Sequence, residues 1–190
     1  MNLPNKLTLF RIILIPVFLV FINFNTEIGV LGALITFTIA SITDQLDGYI
    51  ARKYNLITDF GKFMDPLADK LLVSAAFISF IELNLVNAIP VIIIIFREFI
   101  ITGIRLVLSS KGGKVIAANT YGKLKTVFQI ISIIFILLKL YLMNFNIQSY
   151  YIVDLIQLIG DITFYMCVFL TILSGWDYIS KNIKSLKEIL

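Results

Sequence analysis

Four aspartates set the chemistry open to this chain. Asp44 and Asp47 lie three residues apart, Asp65 and Asp69 four, so on helices each pair shares one face. Two antiparallel helices joined by a turn can aim all four carboxylates at one spot. Such a cluster repels itself and raises the pKa of some members, and near a bilayer each charge adds an insertion cost of about 2.5–3.5 kcal/mol. Divalent cations remove both problems. An all-oxygen donor set points to two ions, Mg2+ or Mn2+, with Ca2+ less apt for catalysis. Two such ions about 3.5–4 Å apart can clamp a phosphoryl group during in-line displacement. Gly48 leaves room for a ligand beside the backbone, and Arg52, one turn on, can grip phosphate with two hydrogen bonds. Pro66 fits the first turn of the second helix. The competing account is a scatter of acids in a water-facing loop, which the regular spacing and flanking glycines disfavour.

What is missing narrows the chemistry further. The chain has no histidine and one cysteine. That removes imidazole bases and His-dependent triads and any disulfide within one chain. Cys167 lies in an apolar run and reads as a small packing residue. A second set of charges follows the aspartates. Arg97, Glu98 and Arg105 interrupt an apolar run, and Lys111, Lys114, Lys123 and Lys125 come after it, with Thr120 and Thr126. Ionisable groups at membrane depth are functional candidates by default. Arg97, Arg105, Lys123 and Lys125 can together receive a phosphorylated acceptor. The plainer alternatives are an ion pair of Arg97 with Glu98 or Asp161, and lysines that serve only topology.

These residues need elements to hold them. The chain is 190 residues long and 59% hydrophobic, with a mean hydropathy of +0.95, beyond the usual soluble domain. Its length predicts a single domain over 1–190. Six apolar runs, at 7–24, 28–43, 67–83, 88–108, 126–143 and 151–173, approach the roughly 20 residues that cross a bilayer as a helix. The second reaches that length if it continues to Tyr49. The fold class expected is an all-α membrane bundle of six transmembrane helices. Connections at 25–27, 84–87 and 144–149 hold no Lys or Arg. The other four polar regions hold Lys6; Arg52, Lys53 and Lys62; the four lysines from Lys111 to Lys125; and Lys181, Lys184 and Lys187. Positive charge stays inside, which puts both termini and the aspartates in the cytoplasm. Residues 181–190 read either as an amphipathic helix on anionic lipid or as a solvated tail.

The string Asp44-x2-Asp47-Gly48-x2-Ala51-Arg52-x8-Gly61-x3-Asp65-x3-Asp69 resembles the full signature of the CDP-alcohol phosphatidyltransferase family. The resemblance implies a six-helix membrane fold, a homodimer, and CDP-diacylglycerol bound on the cytoplasmic side of a bacterial membrane. It also implies that Asp44, Asp47 and Asp65 hold metal. Asp69 would approach metal and serve as general base, and Gly48, Arg52 and Gly61 would bind CDP. Further stretches, among them residues 2–11, Pro66-Leu-Ala-Asp-Lys, Arg97-Glu-Phe and residues 119–126, resemble the bacterial branch that uses glycerol 3-phosphate. Membrane lipid and these two substrates are the partners implied, with no part for nucleic acid. Inositol phosphate is the competing acceptor within the family; serine or ethanolamine would not call for a lysine-arginine pocket.

Asn5, Thr8 and Arg11 share roughly one helix face and either border the site or anchor the first span. Asp154 and Asp161 read as bundle packing, against Arg97 or Lys139. Trp176 and Tyr178 suit an interfacial aromatic belt, and Gly29 and Gly32 suit close helix packing. A six-span transporter is the rival outside the enzyme class, but its acids would lie near the midplane.

Overall fold

The computed structural model describes residues 2–24, 26–54, 59–110, 120–144 and 150–187. Lys111 and Lys114 lie outside them, as do the side chains of Asp47, Gly48 and Arg52 within their helix. The described residues form six helices and no strand: α1 (Leu3–Asn23), α2 (Glu27–Lys53), α3 (Asp59–Glu82), α4 (Ala88–Ser110), α5 (Thr120–Asn144) and α6 (Tyr150–Lys187). Helix α5 packs most extensively on α6, and α1 on α2; α3 bridges α1 and α4.

Local chemistry sets the helix ends. The Thr26 side chain caps α2 by accepting from the Gly29 amide at 3.2 Å, satisfying one orphan donor of the first turn. Helix α3 closes with Asn84 in the left-handed region at φ 56°. There the Leu85 amide reaches the Phe80 carbonyl at 2.8 Å, and the Asn84 amide reaches Ile81 at 3.0 Å. This pairing satisfies two free carbonyls, and asparagine tolerates the conformation that most side chains avoid.

Helices α1, α2, α5 and α6 contain spans long and apolar enough to cross a bilayer. Helices α3 and α4 are as long, with 24 and 23 residues, but acids and bases break their apolar runs. These two carry Asp65, Asp69, Lys70, Arg97 and Glu98. The expected bundle of six helices is present, and its buried charges include Arg11 of α1, Glu98 of α4 and Lys125 of α5.

The bundle is apolar outside and mixed inside. Ile28, Ile89, Tyr151 and Trp176 stand largely exposed, as side chains facing lipid do. Inside, Phe18 and Phe37 pack with ring centroids 6.2 Å apart, and Phe77 with Phe164 at 5.6 Å. Gly29 and Gly32 let α1 and α2 close together. A Cβ on Gly29 would sit 2.6 Å from the Phe21 carbonyl oxygen, and one on Gly32 would sit 2.6 Å from the Phe21 ring.

Two expectations change. Pro66 does not start α3; it lies inside a helix that begins at Asp59. Proline deletes one backbone hydrogen bond there, a loss that neighbouring groups in a bundle can offset. The C-terminal charged segment is not a separate helix: α6 continues unbroken to Lys187.

Candidate active site

Helix α1 anchors two of the four aspartates. Its residues 5, 8 and 11 recur at the spacing of one helix face, and Asn5, Thr8 and Arg11 are all buried. The Thr8 hydroxyl sits between the Pro4 carbonyl oxygen, 3.1 Å away, and Asp65 Oδ1 on α3. The Arg11 guanidinium is fully buried and lies 2.8 Å from Asp44 Oδ1 on α2. Asp44 keeps 38% of its side chain exposed, so the pair joins a buried cation to a carboxylate at the open end. Thr8 and Arg11, one turn apart, thus draw α2 and α3 carboxylates to the same face of α1.

Asp69 borders a second group of charges, on α3, α4 and α5. It keeps 37% side-chain exposure and lies 3.7 Å from the Lys70 ammonium. It also lines a small cavity of about 40 Å3 between α3, α4 and α5, together with Lys70, Glu98, Lys125 and Gln129. Glu98 is the hub of this second group. It is buried, lies 2.9 Å from Lys70 Nζ and 3.3 Å from Arg97, and pairs directly with the buried Lys125.

Of the acceptor-phosphate candidates, the structure brings Arg97 and Lys125 together at Glu98. It leaves Arg105 and Lys123 exposed, with the Arg105 guanidinium 5.9 Å from the Tyr178 ring centroid. Arg97 pairs with Glu98; Asp161 instead lines a cavity at the far end with Lys139. Gly61 is buried near the start of α3. Asp47, Gly48 and Arg52 stand on α2 between Asp44 and Lys53, with their side chains outside the described residues.

The donor set of carboxylate oxygens has the chemistry a hard divalent cation requires. Among the described residues no three acids gather closely enough to hold one. Arg11 engages Asp44 and Thr8 engages Asp65, each at Oδ1; a carboxylate accepts through both oxygens, so these contacts are compatible with metal ligation.

The sequence reading missed two contributors. Lys70 was visible only as the neighbour of Asp69. Its contact with Glu98 depends on how α3 and α4 pack, which spacing along the chain does not encode. Gly175 lets α6 lie against Arg97: a Cβ there would be 3.2 Å from Arg97 Cγ. The small residue next to Trp176 was the available signal.

An all-helical bundle with spaced aspartates along two neighbouring helices has the form that the signature's resemblance implies. The chain belongs to the CDP-alcohol phosphatidyltransferase family, whose model matches residues 1–173. It is 46% identical to a Bacillus subtilis (strain 168) protein named CDP-diacylglycerol–glycerol-3-phosphate 3-phosphatidyltransferase, over 98% of this chain and 97% of that one. A Rickettsia bellii protein of the same name is 40% identical over 93% of each chain. One from Haemophilus influenzae is 41% identical over 70% of this chain and 73% of its own.

Proposed function

We propose that this chain transfers the phosphatidyl group of CDP-diacylglycerol to glycerol 3-phosphate, releasing CMP and forming phosphatidylglycerophosphate. The observation that carries this reading is the placement of Asp69 on one cavity with Lys70 and Lys125. A carboxylate base and cations suited to a phosphate border the same small space. The relatives' shared name supports the same acceptor.

In this reading Asp44, Asp47, Asp65 and Asp69 hold two divalent cations, Mg2+ or Mn2+. When bound, these supply Lewis acidity at the pyrophosphate and offset charge on the leaving group. Gly48, Arg52 and Gly61 receive the CDP moiety. Lys125 and Arg97 take the acceptor phosphate, and the exposed Arg105 and Lys123 draw it in. Asp69 removes the proton from the acceptor hydroxyl. That oxygen bonds to the lipid-side phosphorus, the bond from phosphorus to the CMP oxygen breaks, and CMP departs with the electron pair. Thr8 and Arg11 fix the orientation of the Asp65 and Asp44 carboxylates from α1.

The chain lies in a bacterial cytoplasmic membrane as a homodimer, with the aspartate end facing the cytoplasm. The distribution of Lys and Arg supports that orientation. It lets acyl chains stay in lipid while the acceptor arrives from water.

The test is CMP release by detergent-solubilised protein given CDP-diacylglycerol, Mg2+ or Mn2+, and one acceptor at a time. Turnover is expected with glycerol 3-phosphate. Turnover with inositol phosphate or serine, and none with glycerol 3-phosphate, would overturn the acceptor assignment.

A further inference from the structure

A single carboxylate holds together the cations beside Asp69. Both Glu98 oxygens are engaged: Oε1 faces Lys125 Nζ and Arg97, and Oε2 faces Lys70 Nζ at 2.9 Å. These partners come from α3, α4 and α5. Glu98 therefore ties three positive charges, and with Asp69 also 3.7 Å from Lys70 the group still carries one more cation than it has carboxylates. Lys70 and Lys125 line the cavity that Asp69 also lines.

Lysine carries a point charge on a flexible four-carbon stem. Without an anchor, two ammonium groups and a guanidinium at membrane depth would repel one another and extend toward water. Glu98 prevents both. It fixes the ammonium groups before a ligand arrives, and ordering them in advance lowers the entropic cost of binding. A phosphate monoester then meets excess positive charge already in place, whereas a neutral acceptor gains nothing from it.

We propose that Glu98 is a positioning residue that sets affinity for the phosphate of the acceptor by holding Lys70 and Lys125 at the edge of the Asp69 cavity. This rests on the transferase reading above. It makes a prediction opposite in sign to simple electrostatics. If Glu98 only competed with phosphate for the cations, removing its charge would tighten acceptor binding. As an anchor, its removal weakens binding.

The experiment measures initial rates of the full-length protein, varying glycerol 3-phosphate at saturating CDP-diacylglycerol and then the reverse. Glu98→Gln is expected to raise KM for glycerol 3-phosphate at least about tenfold, the order of one charge-assisted hydrogen bond. Its kcat and its KM for CDP-diacylglycerol should stay within about threefold. Glu98→Asp keeps the charge on a shorter stem and should recover part of the affinity. It decides the matter alone if Glu98→Gln does not yield folded protein. An acceptor KM that stays level or falls overturns the assignment. So does a uniform loss across kcat and both KM values, which would mark a merely structural role. If the unaltered chain turned over no phosphorylated acceptor, the reading of function would fall and this assignment with it. An active chain whose acceptor KM ignores Glu98 would remove this assignment alone.

Discussion

The two ends of the bundle each carry a polar cavity, and they differ in size and in how their charges are arranged. Beside Asp69 the space is about 40 Å3, bordered by α3, α4 and α5, and its cations are tied to Glu98. At the opposite end a cavity of about 360 Å3 is lined by Asn84, Asn87, Lys139, Gln157 and Asp161. Among the described residues neither Lys139 nor Asp161 has an ion-pair partner there. Charges in a wide, wet mouth are screened by water and interact weakly; charges in a narrow space with apolar walls interact several-fold more strongly. Volume alone would direct attention to the wrong end. The arrangement of charge points to the smaller cavity, where a carboxylate with a free edge meets cations already held in place.

The sharpest way to break this contrast is to remove the proposed base. Asp69→Asn is nearly isosteric but binds no proton from an acceptor, so kcat should fall about 10^3-fold or more, within the range general-base catalysis supplies. CMP binding, measured by calorimetry, should persist. Near-normal turnover would dismiss Asp69 as base. A smaller effect is expected from Lys125→Met, which keeps the buried stem and deletes the charge. It should raise KM for glycerol 3-phosphate about 10–100-fold with little change in KM for CDP-diacylglycerol. Equal changes in both constants would count against a role in acceptor binding.

Arg11→Ala probes the α1 side of the same end. Losing one partner of a buried pair costs about 3–5 kcal/mol. Asp44 is 38% exposed and regains water, so about 2 kcal/mol is the better figure. That corresponds to a melting shift of about 4–8 °C for a chain of this length, read by thermal unfolding in detergent. A shift below about 1 °C would show that Arg11 does not hold α1 to α2.

The sequence made one end of each helix legible and the other not. At the end away from the aspartates the apolar runs and the helices agree closely: α2 starts at Glu27, α3 stops at Glu82, α4 starts at Ala88 and α6 starts at Tyr150. At the aspartate end the helices overshoot the runs. Helix α2 continues to Lys53, α3 begins at Asp59, α5 begins at Thr120 and α6 continues to Lys187. Apolarity reports the thickness of the lipid slab, while backbone hydrogen bonding continues into water wherever the side chains permit. The 38-residue α6 is therefore about 57 Å long at 1.5 Å per residue, nearly twice a bilayer core of about 30 Å. The aspartate spacing was readable because it is local to each helix. The meeting of Lys70, Glu98 and Lys125 was not, because it depends on how three helices pack. Thr8 and Arg11 lay between: their shared face was visible, and their partners Asp65 and Asp44 were not.

The smallest effect should come from the larger cavity, and it tests whether the contrast between the ends is real. Lys139 sits on α5 one to two turns before its end at Asn144, and Asp161 on α6 three turns after its start at Tyr150. Both line a cavity with Asn84 and Asn87, past the end of α3, whereas Asp69 lies thirteen residues, about 20 Å of helix, before that end at Glu82. Interactions between solvent-accessible charges fade beyond a Debye length of about 8 Å at physiological salt. Asp161→Asn and Lys139→Gln, singly or together, should consequently change kcat/KM for either substrate by less than about twofold. Either substitution exchanges a charge for a similar polar shape in a space that water already reaches, so the melting temperature should move little. A tenfold loss of turnover with an unchanged melting temperature would mean that the far cavity is coupled to catalysis. Function could not then be assigned to the aspartate end alone.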